Sequence, residues 1–164
     1  GMNASSVRLR PAREKDSALI LAWRNDPTAY RRYFQARPVD GREHARWFSA
    51  RLRDCRCRLF IIEPARGGSA SARPLGQLRL ERGPGGDAQV SLSVDARGRG
   101  RGTATAALRA AARAARRWGV KRLRARTLPD NPASTIAFLK AGYRFVRVER
   151  RKGSESYLLE QGVL

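Results

Sequence analysis

The segment from Val94 to Ala104 limits the fold of this chain more than any other, since it holds three glycines interleaved with arginines. Residues 89–94 before it alternate polar and apolar side chains, which predicts a strand, and residues 104–118 after it have apolar side chains at helical spacing. A glycine-rich turn between a strand and a helix binds anions, because glycines admit a close ligand and the first helical N–H groups lack partners. The segment therefore predicts a phosphate or diphosphate site.

Two common phosphate motifs do not fit this segment. A P-loop needs a Lys-Ser or Lys-Thr pair after its glycines, and a dinucleotide-binding G-x-G-x-x-G needs a glycine where Thr103 or Thr105 stands. A third interpretation is that this is an arginine- and glycine-rich segment that binds nucleic acid. Such segments are usually disordered tails, whereas this one lies between two periodic elements. The residues do fit an R-x-x-G-x-A pattern from Arg99, and an overlapping R-x-x-G-x-G pattern from Arg97.

The pattern from Arg99 resembles the Q/R-x-x-G-x-G/A signature of the GNAT superfamily of N-acetyltransferases. Residues 131–143 (NPASTIAFLKAGY) are similar to the second cofactor-binding segment of that superfamily, and the elements between the two have its order and length if the first motif starts at Arg99. The resemblance covers residues 57–160 well and the N-terminal third more loosely. It implies an acyltransferase that moves an acetyl group from acetyl-CoA to a primary amine by direct attack in a ternary complex.

The same resemblance implies a set of residues that bind coenzyme A. Backbone amides of the glycine-rich turn would hold the diphosphate, and the strand before the turn would splay from its neighbour and pair with pantetheine. Polar residues of the second segment would contact the cofactor further along. The implied set is Leu92, Val94, Arg99, Gly100, Arg101, Gly102, Thr103, Ala104, Asn131, Ser134, Phe138 and Lys140.

The resemblance leaves the proton transfers open. Phe138 stands where many relatives place a tyrosine that protonates the leaving thiolate, so Ser134 or an ordered water is the substitute hypothesis. Many relatives carry a carboxylate base on the strand before the turn, where this chain has Gln89, which cannot take a proton. For the general base we therefore consider Asp95, Glu81, Glu43 and His44. An unperturbed histidine titrates near neutral pH, which would suit His44 to the deprotonation of an ammonium, and a polar position on a helix face is the alternative explanation.

The N-terminal third is similar to a narrower branch that acetylates nucleotide-linked deoxy-aminosugars, as in pseudaminic acid biosynthesis, and that shades into ribosomal-protein N-terminal acetyltransferases. This resemblance implies substrate contacts from Arg24, Asn25 and His44. Arg124 and Arg126 share one face of a predicted strand. If they open onto the acceptor cleft, they favour a diphosphate-bearing acceptor. The alternative is that their aliphatic stems cover the sheet while their guanidinium groups extend into water. The alternatives are a protein N-terminal acetyltransferase and a non-catalytic basic module for nucleic acid.

Composition narrows the class of protein. A chain of 164 residues with 41% hydrophobic residues predicts one domain over residues 1–164, and Gly1 before Met2 is typical of a tag remnant, here residues 1–4, expected to be flexible. The formal charge of +21 concentrates anions, and the base composition of the source genome is the alternative explanation of the high arginine content. We expect no membrane span, no metal site and no specific binding of nucleic acid. We expect a cytoplasmic bacterial protein that is a monomer or a homodimer. Its expected partner is a small, anionic molecule that carries the acceptor amine.

The periodic segments predict an α+β fold. We expect a central mixed, mostly antiparallel sheet of about seven strands flanked by about four helices, which is the GNAT architecture. The predicted helices cover residues 16–25, 40–52, 104–118 and 132–141. The predicted strands cover residues 7–10, 58–63, 75–81, 88–94, 121–128, 143–150 and 155–160, with the third and fourth forming a hairpin.

Overall fold

A computed structural model describes residues 7–26, 38–65 and 73–163. These ranges form a seven-stranded sheet with helices on both faces, which confirms the predicted fold class. In chain order the elements are β1 (Val7–Pro11), α1 (Ser17–Arg24), α2 (Gly41–Arg53), β2 (Cys57–Pro64), β3 (Gly76–Arg82), β4 (Asp87–Val94), α3 (Thr103–Arg117), β5 (Arg122–Thr127), α4 (Pro132–Lys140), β6 (Arg144–Arg151) and β7 (Ser154–Gly162). The predicted tag remnant at residues 1–4 lies outside the described ranges.

The sheet has the order β1-β2-β3-β4-β5-β7-β6. Every neighbouring pair is antiparallel except β4 and β5, which run parallel. The predicted hairpin of β3 and β4 is confirmed, with Gly76 opposite Val94 and Arg82 opposite Ala88. Most predicted boundaries differ from the observed ones by one residue, and the largest difference is at β7, which extends to Gly162 rather than ending at residue 160.

One face of the sheet is covered by α3 and α4. Ala107, Ala111 and Ala115 of α3 are fully buried, and these small side chains let the helix lie close to β1, β3 and β4. Strand β5 alternates as predicted, with Leu123 facing this core between the exposed Arg122 and the half-buried Arg124. Gly119 adopts φ +80°, a left-handed conformation that is typical of the residue after a helix and that ends α3.

The opposite face is covered by α1 and α2 at the β1–β2 end. Ile20, Trp23 and Phe48 from these helices pack on Leu59 and Ile61 of β2. The predicted start of α2 is confirmed, because the Asp40 carboxylate caps it. No helix of the described ranges has the length and apolar content needed to cross a bilayer.

Asp16, a residue type that often caps helices, occupies the N-cap position of α1, which begins at Ser17 after a short 3-10 turn. The Asp16 carboxylate makes no cap bond to α1, but accepts two hydrogen bonds from Arg10 at 3.0 Å and one from the Arg13 backbone at 2.7 Å. A helix cap contributes about 1 kcal/mol, whereas a hydrogen bond to a charged partner contributes roughly 1.5–3 kcal/mol. The charged partner on β1 therefore determines where this carboxylate points.

Candidate functional site

Strands β4 and β5 pair over three positions and then separate. Asp87 to Gln89 lie opposite Arg122 to Arg124, after which β4 continues to Val94 and β5 to Thr127. Both strands stay paired on their outer sides, to β3 and β7 respectively. We call the opening between residues 90–94 and 125–127 the strand gap. Unpaired backbone groups along a strand are a template for an extended ligand.

The strand gap leads into the turn between β4 and α3, residues 95–102, which we call the glycine turn. Gly100 and Gly102 adopt φ values of +77° and +76°, which residues with a side chain rarely adopt. Apart from its two chain neighbours, no described residue has an atom within 4 Å of where a Cβ at Gly100 would lie, so this position faces open space in the described structure. Gly102 is the N-cap of α3 and provides no side-chain cap, which leaves the first N–H groups of this helix available to a ligand.

These dihedral angles favour the motif frame that starts at Arg97 over the frame from Arg99, which the spacing between the two motifs favoured in the sequence analysis. In the frame from Arg97, both motif glycines, Gly100 and Gly102, occupy left-handed positions. In the frame from Arg99, the second small residue is Ala104, which lies inside α3, where no glycine is required. The spacing within the motif does not separate the two frames, because glycines and arginines alternate in this segment.

The glycine turn is held by bonds within itself. The Asp95 carboxylate accepts from the Arg97 backbone at 2.9 Å, and the Asp95 carbonyl accepts from the Gly98 N–H at 2.8 Å. The buried Thr103 hydroxyl bonds the Gly98 carbonyl at 3.3 Å. The Arg99 Nε donates to the Val94 carbonyl at 3.2 Å. The backbone of the turn is therefore supported by hydrogen bonds from its own residues and from Thr103 next to it.

The other predicted cofactor residues lie on β4, on the glycine turn and at the start of α4. Leu92 and Val94 belong to the part of β4 that has separated from β5, and Arg101 is exposed on the glycine turn. Asn131 caps α4 through its side chain, which accepts from the Ser134 N–H at 3.4 Å. The Thr105 hydroxyl lies 3.5 Å from the Ala137 carbonyl and thus links α3 to α4.

Phe138 is buried, and its ring meets Tyr143 edge to face at a centroid distance of 4.9 Å. The Tyr143 hydroxyl has no hydrogen-bond partner in the described residues, and burial raises the pKa of Tyr143 above its usual value. Lys140 is exposed at the end of α4, where its carbonyl accepts from Arg109 of α3. Lys140 and the glycine turn are therefore separated by one to two turns of α3.

Asp95 is poorly suited to the role of general base. Its carboxylate accepts from the Arg97 guanidinium at 2.9 and 3.1 Å and from the Trp23 indole N–H at 2.8 Å. The Arg97 guanidinium and the Trp23 N–H hold the pKa of Asp95 well below its usual range. A carboxylate with so low a proton affinity accepts a proton weakly near neutral pH, so its contacts indicate a structural task instead.

His44 lies between α1 and α2, where its side chain is only 3% exposed. Its ring stacks on Phe48 at a centroid distance of 5.8 Å and bonds the Ser17 backbone, while Nε2 has no partner among the described residues. Burial, together with the charge of Arg24, lowers the pKa of His44 below its usual value. The imidazole is therefore neutral at pH 7 and able to accept a proton.

The remaining predicted acceptor residues are already engaged within the protein. The Asn25 side-chain amide donates a hydrogen bond to the Val39 carbonyl at 2.9 Å and accepts one from the Val39 N–H at 2.6 Å. These two bonds join the end of α1 to the segment just before α2. Arg126 pairs with Glu149 at 2.8 Å, and Arg124 lies 3.4 Å from Asp87 and 3.5 Å from Glu160. The arginine face of β5 thus carries mixed charge, which the alternation of β5 alone does not reveal.

Sequence reasoning missed the residues that join distant elements. The Trp23 side chain donates a hydrogen bond to Asp95, 72 residues further along the chain. The hydroxyl groups of Thr127 on β5 and Thr135 on α4 form a hydrogen bond at 2.8 Å. No local pattern predicts such pairs. The described residues hold no group of three or more side chains suited to a metal ion.

Comparison with known proteins places this geometry in context. The family model described as "Acetyltransferase (GNAT) domain" matches residues 6–144. No curated protein matches the sequence.

Several solved structures share the fold. A domain from Methanocaldococcus jannaschii superposes with a TM-score of 0.82 at 19% identity, over 96% of this chain and 99% of that one. Spermidine N-acetyltransferase from Vibrio cholerae, in complex with CoA and spermine, gives 0.83 at 13% identity over 96% and 95% of the two chains. Aminoglycoside acetyltransferase AAC(6')-Ib, in complex with coenzyme A and kanamycin, gives 0.78 at 17% identity over 96% and 95%. At these identities the likeness concerns the fold.

Proposed function

Since this chain belongs to the GNAT acetyltransferase family, we propose that it transfers the acetyl group of acetyl-CoA to a primary amine of a small acceptor. One observation carries the proposal: the strand gap opens into the glycine turn at the uncapped start of α3. Pantetheine is an extended amide chain and suits the unpaired backbone of β4. The diphosphate suits the amides and positive end of α3, with the arginines of the turn nearby.

The chain would contribute binding and electrostatics to this reaction. Acetyl-CoA supplies a thioester carbonyl that a neutral amine attacks, with the thiolate of coenzyme A as the leaving group. Backbone N–H groups of β4 between Leu92 and Val94 would donate to the carbonyl oxygen as negative charge develops on it. The pairing of this part of β4 with β3 holds these donors in place before the reaction, so little reorganisation is needed.

We assign the removal of the ammonium proton to His44, directly or through a water. Its imidazole is neutral near pH 7 and its Nε2 lacks a partner in the described structure, which supports this role. Phe138 has no proton to give, so Ser134 or a water would protonate the thiolate. Because that thiolate is a tolerable leaving group near neutral pH, this second proton transfer is the less demanding one.

For the acceptor we propose a nucleotide-linked aminosugar. Arg24 at the end of α1, and Arg124 and Arg126 on the same face of the sheet, provide cations for an acceptor diphosphate. The ion pairs of the two β5 arginines would be exchanged for, or shared with, phosphate oxygens, since Arg binds both groups in similar geometry.

A second acceptor class is favoured by the carboxylates on that face. Asp87, Glu149 and Glu160 surround the β5 arginines and would attract a polycationic amine if the arginines turned away. The similar spermidine and aminoglycoside enzymes were solved with spermine and kanamycin bound. A protein N-terminus is a third acceptor, and it would need a cleft open at both ends.

The experiment is a transfer assay with acetyl-CoA and four acceptors: a nucleotide-linked amino-deoxysugar, spermidine, kanamycin and a short peptide with a free N-terminus. The proposal predicts the highest kcat/KM for the nucleotide-linked sugar. Combined replacement of Arg124 and Arg126 by Ala should raise its KM about tenfold or more and change the acetyl-CoA KM by less than about twofold. Arg122→Ala, on the same strand face but before the strands separate, is the matched control. Equal effects on both KM values would exclude the acceptor role.

A further inference from the structure

Exposed apolar side chains are concentrated at one end of the sheet. Within the described ranges, every large hydrophobic side chain that is exposed belongs to α4 or β6: Ile136, Leu139, Phe145, Val146 and Val148, each between 36% and 51% exposed. The two on α4 are three residues apart and share one side of that helix, which contacts β6. We call these five residues the apolar edge. Scattered exposed apolar residues are ordinary, whereas such a concentration indicates an interaction surface.

Strand β6 is also the last strand of the sheet. In the described part of the chain it pairs with β7 on one side and with no strand on the other. Phe145 lies opposite the core residue Leu159, and its ring meets Tyr157 edge to face at 5.8 Å, so it points to the sheet face that carries α4. Val148 lies opposite Tyr157 and shares that face. A strand added to β6 would therefore satisfy its backbone groups and cover apolar side chains at once.

The opposite face of β6 carries a cation and a carboxylate two positions apart. Glu149 accepts from Arg126 at 2.8 Å and from Arg147 of its own strand at 3.2 Å. The Arg147 side chain remains 61% exposed. A carboxylate has about four lone-pair sites, so Glu149 is able to accept a further donor from a neighbouring strand.

The order of these residues makes β6 complementary to itself. When a two-fold axis relates two antiparallel strands, the residue at the axis lies opposite itself and its two neighbours lie opposite each other. With Val148 at the axis, Arg147 of each copy lies opposite Glu149 of the other, and the two valines meet on the apolar face. An axis at Arg147, Glu149 or Arg150 would instead place two like charges face to face. The bulge of β6, between Phe145 and Arg147, leaves residues 147–149 regular.

We propose that β6 is the interface of a homodimer, in which two sheets join edge to edge with Val148 at the two-fold axis. The apolar edge of each copy then lies beside that of the other, on the sheet face that carries α4. This inference does not depend on the proposed acetyl transfer, because none of its contacts involves the cofactor.

The charge of the chain determines how this dimer responds to salt. Two chains with a formal charge of +21 repel each other, so added salt should strengthen the dimer by screening that repulsion. An acidic partner chain bound at the same edge would show the opposite dependence, because salt weakens attraction between unlike charges. The direction of the salt effect therefore separates a second copy from an acidic partner.

The first test is sedimentation equilibrium of the full chain over a range of protein concentration at low and high salt. The wild type should show a monomer–dimer equilibrium whose Kd falls at least about threefold with salt. Val148→Lys places two ammonium groups face to face at the axis and should raise the Kd at least about tenfold. Because Val148 is exposed, this variant should keep the Tm of the wild-type monomer.

The second test exchanges charges across the axis. Arg147→Glu and Glu149→Arg each place like charges opposite each other, and each variant alone should dimerise at least about tenfold more weakly. An equal mixture of the two variants restores opposite charges at both cross-strand pairs and should dimerise again. Arg150→Glu is the matched control, since it makes the same change of charge on the other face of β6, where Arg150 pairs with Glu155. It should dimerise at least as well as the wild type.

Three results would overturn the inference. A wild type that stays monomeric at high concentration and high salt would leave an acidic partner as the occupant of this edge. A dimer that Val148→Lys does not weaken would place the interface elsewhere. A mixture of Arg147→Glu and Glu149→Arg that associates no better than either variant alone, with both variants folded by thermal unfolding, would refute the register.

Discussion

Replacement of Gly100 by Ala tests the glycine turn against a matched position elsewhere in the chain. Gly100 and Gly85 have φ values of +77° and +78°, and a Cβ atom would meet no protein atom within 4 Å at either one. An L-residue in this conformation costs about 1–2 kcal/mol. Both variants should therefore lose the same stability, and their Tm values should fall by about 2–8 °C in a chain of this size.

The two variants should differ in their affinity for coenzyme A. At Gly100 the new methyl group, or the backbone rotation that relieves its strain, changes the amides that would face the diphosphate. We expect the Kd for coenzyme A to rise at least about tenfold, equivalent to about 1.4 kcal/mol. Gly85 lies in the turn between β3 and β4, where the same change should leave the Kd within about twofold.

Calorimetric titration and thermal unfolding of both variants check this prediction. Equal Kd values for Gly100→Ala and Gly85→Ala, despite equal losses of Tm, would show that the glycine turn does not hold the ligand. A much larger loss of Tm at Gly100 would show that the turn contributes to stability beyond its backbone strain.

The remaining predictions concern charge and proton transfer. The pKa of His44 in the folded chain lies below its ordinary 6.5, so the unfolded chain binds the proton first as the pH falls. The free energy of unfolding of the wild type should therefore decrease between pH 6.5 and 5, and that of His44→Gln should decrease less. Urea denaturation at several pH values measures both, and an equal dependence on pH in the two proteins would contradict this. Arg10→Met leaves the buried Asp16 and Glu63 carboxylates without their shared cation and should cost about 2–3 kcal/mol, whereas Arg8→Met, at a side chain 56% exposed, should cost less than about 1 kcal/mol. Chemical denaturation measures both, and similar losses would refute the buried-charge argument. Phe138→Tyr should change kcat by less than about tenfold, because the thiolate leaves readily without an acid; a hundredfold gain in a transfer assay would show that its protonation limits the rate.

The features that the sequence predicted well are those with a local physical cause. The alternation of β5 places Leu123 in the core because successive side chains of a strand point to opposite faces. The glycine turn follows from residues that are adjacent in the chain. Both signals need only the periodicity of one element or the conformational range of glycine.

The features that it missed depend on partners that are distant in the chain. Asp16 has the position of a helix cap, but Arg10 on β1 attracts its carboxylate away from α1. The carboxylates that pair with Arg124 and Arg126 lie on other strands, whose register is set by the folded sheet. Likewise, no pattern within α1 indicates that Trp23 bonds Asp95.

The central claim is that the strand gap and the glycine turn together bind the phosphorylated arm of an acyl carrier. Its most direct test is calorimetric titration of the wild type with coenzyme A and, in parallel, with pantetheine, which lacks the phosphates. The account predicts one coenzyme A per chain, a Kd that weakens as salt is added, and binding of pantetheine at least about a hundredfold weaker. No heat with coenzyme A, or equal affinity for the two compounds, would contradict it.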